Sequence, residues 1–130
     1  MSKRINISSG TNWEDIVGYS RAVRIGDIIE VAGTTAVDEN GQVVGAGDAG
    51  EQTNFILSKI EKALSAAGAT LNDVVRTRMF VTNIADWEMI GKVHGRYFKD
   101  IKPAATMVEV KSLISPELSV EIEVTAILSD

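Results

Sequence analysis

Two stretches of alternating apolar and polar residues near the C-terminal end of the chain constrain its fold most strongly. The first, KPAATMVEV, spans 102–110, and the second, VEIEVTAIL, spans 120–128. Such alternation is typical of a β-strand, whose successive side chains point to opposite faces of a sheet. In the second stretch one face is entirely apolar, whereas the other carries Glu121 and Glu123. The sequence therefore predicts a sheet with one face under helices and a second face that mixes carboxylates with apolar side chains.

The rest of the chain predicts two helices. Asp48 is a predicted N-cap with Glu51 three residues later, and Gly68 suits the position that follows a helix C-terminus. Asp86 is a predicted N-cap of a second helix over 87–98. Both helices are long enough to cover part of a sheet.

Four further strands complete the predicted order β-β-β-α-β-α-β-β. They are expected at 4–7, 19–25, 28–32 and 74–82. The polar segment 8–17 is predicted to be irregular. The chain of 130 residues has the length of one ordinary domain, so we predict a single domain over 1–130. The expected fold class is α+β, a six-stranded mixed sheet with two helices on one face.

The uncovered sheet face is predicted to need a partner. It would expose Phe80, Met107 and Ile127 among charged residues. Those charged residues are predicted to form an ion-pair network, and they are Arg76, Arg78, Glu109, Glu121 and Glu123. When the surface of a single subunit would expose such a mixture of apolar and charged side chains, that surface is usually covered by another molecule in the assembled protein. We therefore expect a homo-oligomer with this face between the subunits.

Composition restricts the classes of function. The net charge of −5 argues against a protein that grips nucleic acid or an anionic membrane through bulk charge. The chain has no cysteine, and its lone histidine, His94, makes a poor metal site, so we expect no metal and no cofactor. The N-terminal segment lacks the apolar core of a signal peptide, and no apolar run is long enough to span a membrane. We therefore expect a cytoplasmic protein.

Several motifs, in order and spacing, resemble the YjgF/RidA family of enamine/imine deaminases. They are Gly18-Tyr19-Ser20, Val31-Ala32-Gly33, Glu51-Gln52-Thr53, Ala66-Ala67-Gly68-Ala69, Pro103-Ala104 with Val108-Glu109-Val110, and Val120-Glu121-Ile122-Glu123. The resemblance covers about 17–127. It implies a fold similar to that of chorismate mutase and a homotrimer in which three sheets form a central barrel. It also implies a small-metabolite cleft at each subunit interface.

The same resemblance supplies candidate site residues. Tyr19, Gly33 and Glu121 match family cleft positions, and Glu121 aligns with the glutamate that orients the attacking water, so it is the candidate catalytic residue. Met107 stands in the cleft where a cysteine or another small residue is common. Further residues predicted near the cleft are Trp13, Trp87 and Arg78.

Ala105 departs from the family pattern. It stands where the family deaminases have the arginine that binds the substrate carboxylate, and a methyl group makes no hydrogen bond to a carboxylate. The sequence therefore resembles an arginine-lacking branch, with weak or absent 2-iminobutanoate/2-iminopropanoate deaminase activity. Arg76 or Arg78 could replace the missing anchor, since both are expected on the sheet face of Ala105.

Two alternative functions remain open at this point. One is a non-catalytic trimer that binds or senses a small molecule, since a shared scaffold does not guarantee a shared reaction. The other is the ribonuclease or translation-inhibitor activity described for some relatives of the family. The negative net charge and the lack of a basic stripe with interleaved aromatic residues argue against this second alternative.

Overall fold

The computed structural model describes residues 3–129 and contains one six-stranded sheet in the order β1-β2-β3-β6-β4-β5. The strands are β1 (Arg4–Ile7), β2 (Ala22–Ile25), β3 (Ile28–Thr35), β4 (Val74–Val81), β5 (Ala104–Glu109) and β6 (Val120–Ile127). The helices are α1 (Asn12–Val17), α2 (Ala49–Ala66) and α3 (Trp87–Phe98). Neighbouring strands are antiparallel except β4 and β5, which are parallel. The predicted α+β class and mixed six-stranded sheet are confirmed.

The two predicted helices are confirmed as α2 and α3, but the prediction that the segment 8–17 is irregular was wrong, because residues 12–17 form a third, short helix. Thr11 caps this helix by accepting a hydrogen bond from the backbone N–H of Trp13 at 3.1 Å, and Gly18 ends it in the left-handed region with φ of 90°. A helix of six residues is too short to show a helical period in the sequence. The segment therefore lacked the signal on which the two longer helices were predicted.

The core lies between the sheet and α2 with α3. The side chain of Asp48 accepts a hydrogen bond from the backbone N–H of Glu51 at 3.0 Å, which confirms the predicted N-cap of α2. From β6 the buried residues are Val120, Ile122, Val124 and Ala126, the apolar face predicted from the alternation. Burial of such a face is the main stabilising term in a domain of this size. No helix in the described part of the chain is long and apolar enough to cross a membrane.

A register shift interrupts the alternation of β4. Strict alternation would place Val75 on the buried face with Thr77, Met79 and Val81, but it is 43% exposed and Val74 is buried instead. The pairing of β4 with β6 is irregular between Val74 and Arg76. An extra residue at such a bulge moves one side chain to the other side of the sheet.

The pairing of β5 corrects a second prediction. Met107 is in register with Met79 and packs against the core, so it does not lie on the uncovered face. Val108, in register with Phe80, occupies that face. The side chains of each strand alternate as expected. The register between β4 and β5 decides which residues of the two strands share a face, and alternation alone does not specify that register.

Candidate functional site

The sheet face that points away from α2 and α3, called the open face below, carries the polar residues of the middle strands. Its members follow from the strand register, and they include Val23, Ile25, Ile28, Glu30, Arg76, Arg78, Phe80, Ala104, Thr106, Val108, Glu121, Glu123, Thr125 and Ile127. Two of them form an ion pair, Arg78 with Glu123 at 3.7 Å. This face is where the structure brings most of the predicted site residues.

Glu121 and Gly33 are in direct contact on this face. The carboxylate of Glu121 occupies the space into which a Cβ atom at position 33 would project. The register of β3 with β6 shifts between Val31 and Thr34, so that Gly33 lies in an irregular part of β3. A side chain at position 33 would therefore displace the Glu121 carboxylate, which is the far end of a flexible side chain.

Arg21 links this pair to the preceding segment. Its Nη2 donates a hydrogen bond to the backbone carbonyl of Gly33 at 2.7 Å, and the side chain is half-buried. Burial raises the pKa of Glu121 above its ordinary value; the positive charge of Arg21 opposes this rise, and the negative charge of Glu123 adds to it. The sequence prediction missed Arg21. The available signal was a charged residue two positions after Tyr19, next to the small residues Ser20 and Ala22.

Tyr19 is positioned by α1. Its backbone N–H donates to the carbonyl of Glu14 at 3.0 Å, just after the helix ends. Glu14 is only 6% exposed, and its carboxylate accepts hydrogen bonds from the backbone N–H of Ser9 at 3.0 Å and from the Ser9 hydroxyl. Burial raises the pKa of Glu14, but the hydrogen bonds from Ser9 and Ser8 and the charge of Arg21 outweigh it, so this pKa lies below its ordinary value.

A broad concavity of about 750 Å³ lies against the open face. Its lining includes Glu14, Tyr19, Ala32, Arg78 and Glu123. Two predicted site residues, Tyr19 and Arg78, are thus brought together here, and Gly33 follows Ala32 directly. The surface is open to solvent on the side away from the sheet.

Ala105 and Met107 lie elsewhere in the subunit. They are on β5, at the sheet edge opposite β1 and β2, and in register with Thr77 and Met79 on the helix-covered face. Within one subunit the structure therefore does not bring them next to Tyr19, Gly33 and Glu121.

The expectation that Arg76 and Arg78 share the face of Ala105 was wrong. The parallel register places Arg76 beside Ala104 and Arg78 beside Thr106, on the open face. Arg76 donates from Nη2 to the Thr106 hydroxyl at 2.6 Å, and Arg78 pairs with Glu123. Neither guanidinium stands in for an arginine at position 105 of the same subunit.

The three carboxylates of the predicted ion-pair network do not meet in the structure. Glu109 accepts a hydrogen bond from the backbone N–H of Ile84 at 2.9 Å, at the end of its strand. Glu123 pairs with Arg78, and Glu121 lies against Gly33. The three carboxylates therefore have separate partners, because the strand register sends them to different neighbours.

The two tryptophans are exposed and lie outside the lining of the concavity. Trp13 is 64% exposed on α1, and Trp87 is 58% exposed at the start of α3. His94 is engaged with the core instead, since its Nε2 lies 2.9 Å from the Thr77 hydroxyl and burial lowers its pKa. Among residues 3–129 no group of three or more potential metal-ligating side chains occurs.

Comparison with known proteins gives consistent results over nearly the whole chain. The family model described as Endoribonuclease L-PSP matches residues 10–128. The 3-aminoacrylate deaminase RutC of Acinetobacter baylyi is 36% identical over 122 residues, which are 94% of this chain and 95% of that protein. A RutC family protein of Pyrococcus abyssi is 38% identical over 83% of this chain and 84% of its own length.

The solved structures agree with the sequence comparisons. The crystal structure of Rv2704 from Mycobacterium tuberculosis, a member of the YjgF/YER057c/UK114 family, superposes with a TM-score of 0.88 at 49% identity, over 97% of this chain and 100% of that one. The chain belongs to the YjgF/RidA family, to which the Endoribonuclease L-PSP model corresponds.

Proposed function

We propose that this chain binds a small metabolite in clefts between the subunits of a homotrimer, where Glu121 positions a water for the hydrolysis of an enamine or imine. Water adds to the imine carbon, the carbon–nitrogen bond breaks, and a carbonyl compound and ammonia leave. An enamine first takes up a proton on carbon to give the imine. Water is the nucleophile, so the reaction needs no cofactor. A relative named as a 3-aminoacrylate deaminase supports this class of reaction.

The environment of the Glu121 carboxylate is the observation that carries the proposal. Its carboxylate is half-buried, lies against the backbone of Gly33, and makes no ion pair within 4 Å to any residue of the described chain. A half-buried carboxylate that is not neutralised by a salt bridge is suited to hold a water and to accept its proton.

Two features of the open face support the trimer. Ile25, Ile28 and Ile127 are paired across three adjacent strands at one end of this face, and all three are exposed. The family cleft positions are also separated within the subunit, since Gly33 and Glu121 lie on the central strands β3 and β6 and Ala105 and Met107 lie on the edge strand β5. Contact between β5 of one copy and the open face of the next would complete the cleft, and such a heterologous contact can close into a ring.

Ala105 limits the reaction that we expect. Without an arginine at this position, the carboxylate of a 2-imino acid loses its charge-assisted anchor on that wall of the cleft. We therefore expect weak or absent turnover of 2-iminobutanoate and 2-iminopropanoate. The same observation favours a second candidate function, a trimer that binds its ligand without turnover.

Ribonuclease activity has less support. It rests on the description of the family model, and the net charge of −5 opposes tight binding of RNA. A binding titration with single-stranded RNA at two salt concentrations tests it, since tight salt-sensitive binding would contradict our proposal.

The main test compares Glu121→Gln with Glu123→Gln. Both residues lie on the open face of β6, but Glu123 is paired with Arg78. An amino-acid oxidase generates imines from a panel of amino acids, and the release of ammonia is followed. 3-Aminoacrylate, supplied by its own generating enzyme, is included. Glu121→Gln should abolish turnover of whichever substrate is accepted. Glu123→Gln removes only a neighbouring charge that raises the pKa of Glu121, so it should retain measurable turnover. Equal activity in both variants would refute the role of Glu121.

A further inference from the structure

We propose that Arg21 binds a carboxylate of the ligand beside Glu121, so that this protein anchors its ligand from a different wall of the cleft. This inference rests on the proposed small-metabolite cleft. It assigns a chemical class, an organic carboxylate, to the ligand of that site. It also assigns a binding role to a residue that lies outside the positions compared with the family pattern.

The hydrogen bonding of Arg21 is incomplete in the isolated subunit. A guanidinium has five N–H donors and no acceptor. Only one of these donors is used within residues 3–129, in the bond from Nη2 to the carbonyl of Gly33. Nε is fully buried and has no hydrogen-bond partner. A charged donor group removed from water without partners is costly, so an acceptor is expected beside the guanidinium. A ligand cannot reach the fully buried Nε, so it would accept from the remaining N–H groups of Nη1 and Nη2.

The neighbouring charged groups do not supply that acceptor. Arg21 forms no ion pair within 4 Å to a described residue, although the charges of Glu14 and Glu121 both act on it. The carboxylate of Glu14 is engaged by Ser9, and that of Glu121 lies against Gly33. Arg21 therefore has compensating charge at a distance but lacks direct hydrogen bonds.

A second cation, Lys59, interacts electrostatically with Arg21. Lys59 donates from Nζ to the carbonyls of Thr35 and Val37, both at 2.9 Å. Burial lowers the pKa of Lys59, and the charge of Arg21 lowers it further. Lys59 has protein partners, so Arg21 is the cation of this pair with donors to offer. A carboxylate accepts two parallel hydrogen bonds from a guanidinium, which fits the vacant donors.

The position of Arg21 changes how a ligand is held. Arg21 contacts Gly33, which in turn contacts Glu121, so the anchor and the candidate catalytic residue belong to one subunit. An arginine at position 105 would instead project from β5, at the far edge of the sheet. We therefore expect carboxylates to bind here without the rapid hydrolysis of short 2-imino acids.

Arg24 provides a matched control on the same strand segment. It is also half-buried, but its Nε donates to the carbonyl of Gly26 and its Nη1 to the carbonyl of Ala67, each at 2.8 Å. It lies in register with Ile29 on the helix-covered face. Arg24 thus has the same chemistry and a similar burial, but its donors are satisfied by the protein.

The experiment measures the binding of 2-oxobutanoate and of its neutral amide by calorimetry to the wild type, Arg21→Gln, Arg21→Lys and Arg24→Gln. We expect the wild type to bind the carboxylate in preference to the amide. Arg21→Gln should lose about tenfold to a hundredfold of carboxylate affinity, and Arg24→Gln should retain it. Arg21→Lys keeps the positive charge but lacks the planar guanidinium that donates two parallel hydrogen bonds, so it should bind the carboxylate with intermediate affinity. Thermal unfolding of each variant identifies any that fails to fold, in which case Arg21→Lys supplies the comparison.

The outcomes separate this inference from the proposed function. Equal binding of carboxylate and amide, or carboxylate binding unchanged in both Arg21 variants, would overturn the role of Arg21 and leave the cleft standing. Absence of binding by both compounds, together with absence of turnover across the imine panel, would overturn both. A purely structural Arg21 would lower the thermal stability of its variants without changing the preference for carboxylate over amide.

Discussion

The carboxylate of Glu121 lies against the Cα atom of Gly33, in the space that a side chain at position 33 would fill. The backbone of Gly33 does not lie in the left-handed region. A side chain at this position would therefore meet the Glu121 carboxylate but would not strain the backbone. The carbonyl of the same residue accepts the hydrogen bond from Arg21. One backbone position thus touches both the candidate catalytic carboxylate and the proposed ligand anchor.

Gly33→Ala should therefore displace the Glu121 side chain. We expect at least about a tenfold loss of ligand affinity or turnover. The free energy of unfolding should change by less than about 1 kcal/mol, because the atoms that must move are the end of a flexible side chain. Gly95→Ala is the control, because its Cβ would meet nothing within 4 Å in the middle of α3. The free energy of unfolding of that variant should rise by about 1 kcal/mol, because alanine favours a helix more than glycine does, and its function should be unchanged. Denaturant titration and the binding assay check both, and full function in Gly33→Ala would contradict the contact.

Glu14 should make stability depend on acid pH. Its pKa in the folded state lies below the ordinary value, so the folded protein binds a proton there less readily than the unfolded chain does. The stabilisation is present above the unfolded pKa and is lost as the pH falls through the folded pKa. Between about pH 7 and pH 3, the free energy of unfolding should fall more steeply in the wild type than in Glu14→Gln. Parallel pH profiles of the two proteins would show that Glu14 contributes nothing to this dependence.

The alternating residues of β6 allowed the sheet and its core face to be predicted, and the N-cap candidates Asp48 and Asp86 allowed the two long helices to be predicted. In these elements the side-chain period alone determines burial. Prediction failed where geometry between elements decides the outcome. The face shared by β4 and β5 depends on a parallel register, which placed Met107 in the core and moved Arg78 away from Ala105. Arg21 was missed because its role depends on a carbonyl twelve residues along the chain.

Charging the apolar end of the open face should prevent assembly. Ile28 is 52% exposed and lies in register with Ile25 on one side and Ile127 on the other. We expect the wild type to sediment as a trimer and Ile28→Glu as a monomer, because a buried unpaired carboxylate is costly at an interface. Ile114→Glu is the matched control, since Ile114 is 92% exposed in the loop between β5 and β6. A monomeric wild type, or a trimeric Ile28→Glu, would show that this patch is not the interface.

Restoring an arginine on β5 tests whether the cleft retains the rest of the family machinery. The wild type should hydrolyse 2-iminobutanoate near background, because the methyl group of Ala105 offers its carboxylate no hydrogen bond. Ala105→Arg should raise turnover by at least about tenfold, the effect of about 1.4 kcal/mol of transition-state stabilisation, if Glu121 is correctly placed across the interface. Ala104→Arg is the control, since position 104 is next to 105 but in register with Arg76 on the open face. A coupled amino-acid oxidase assay follows ammonia release. Fast turnover by the wild type would contradict the prediction, and its loss in Arg21→Gln would then identify Arg21 as the group that holds the imino acid.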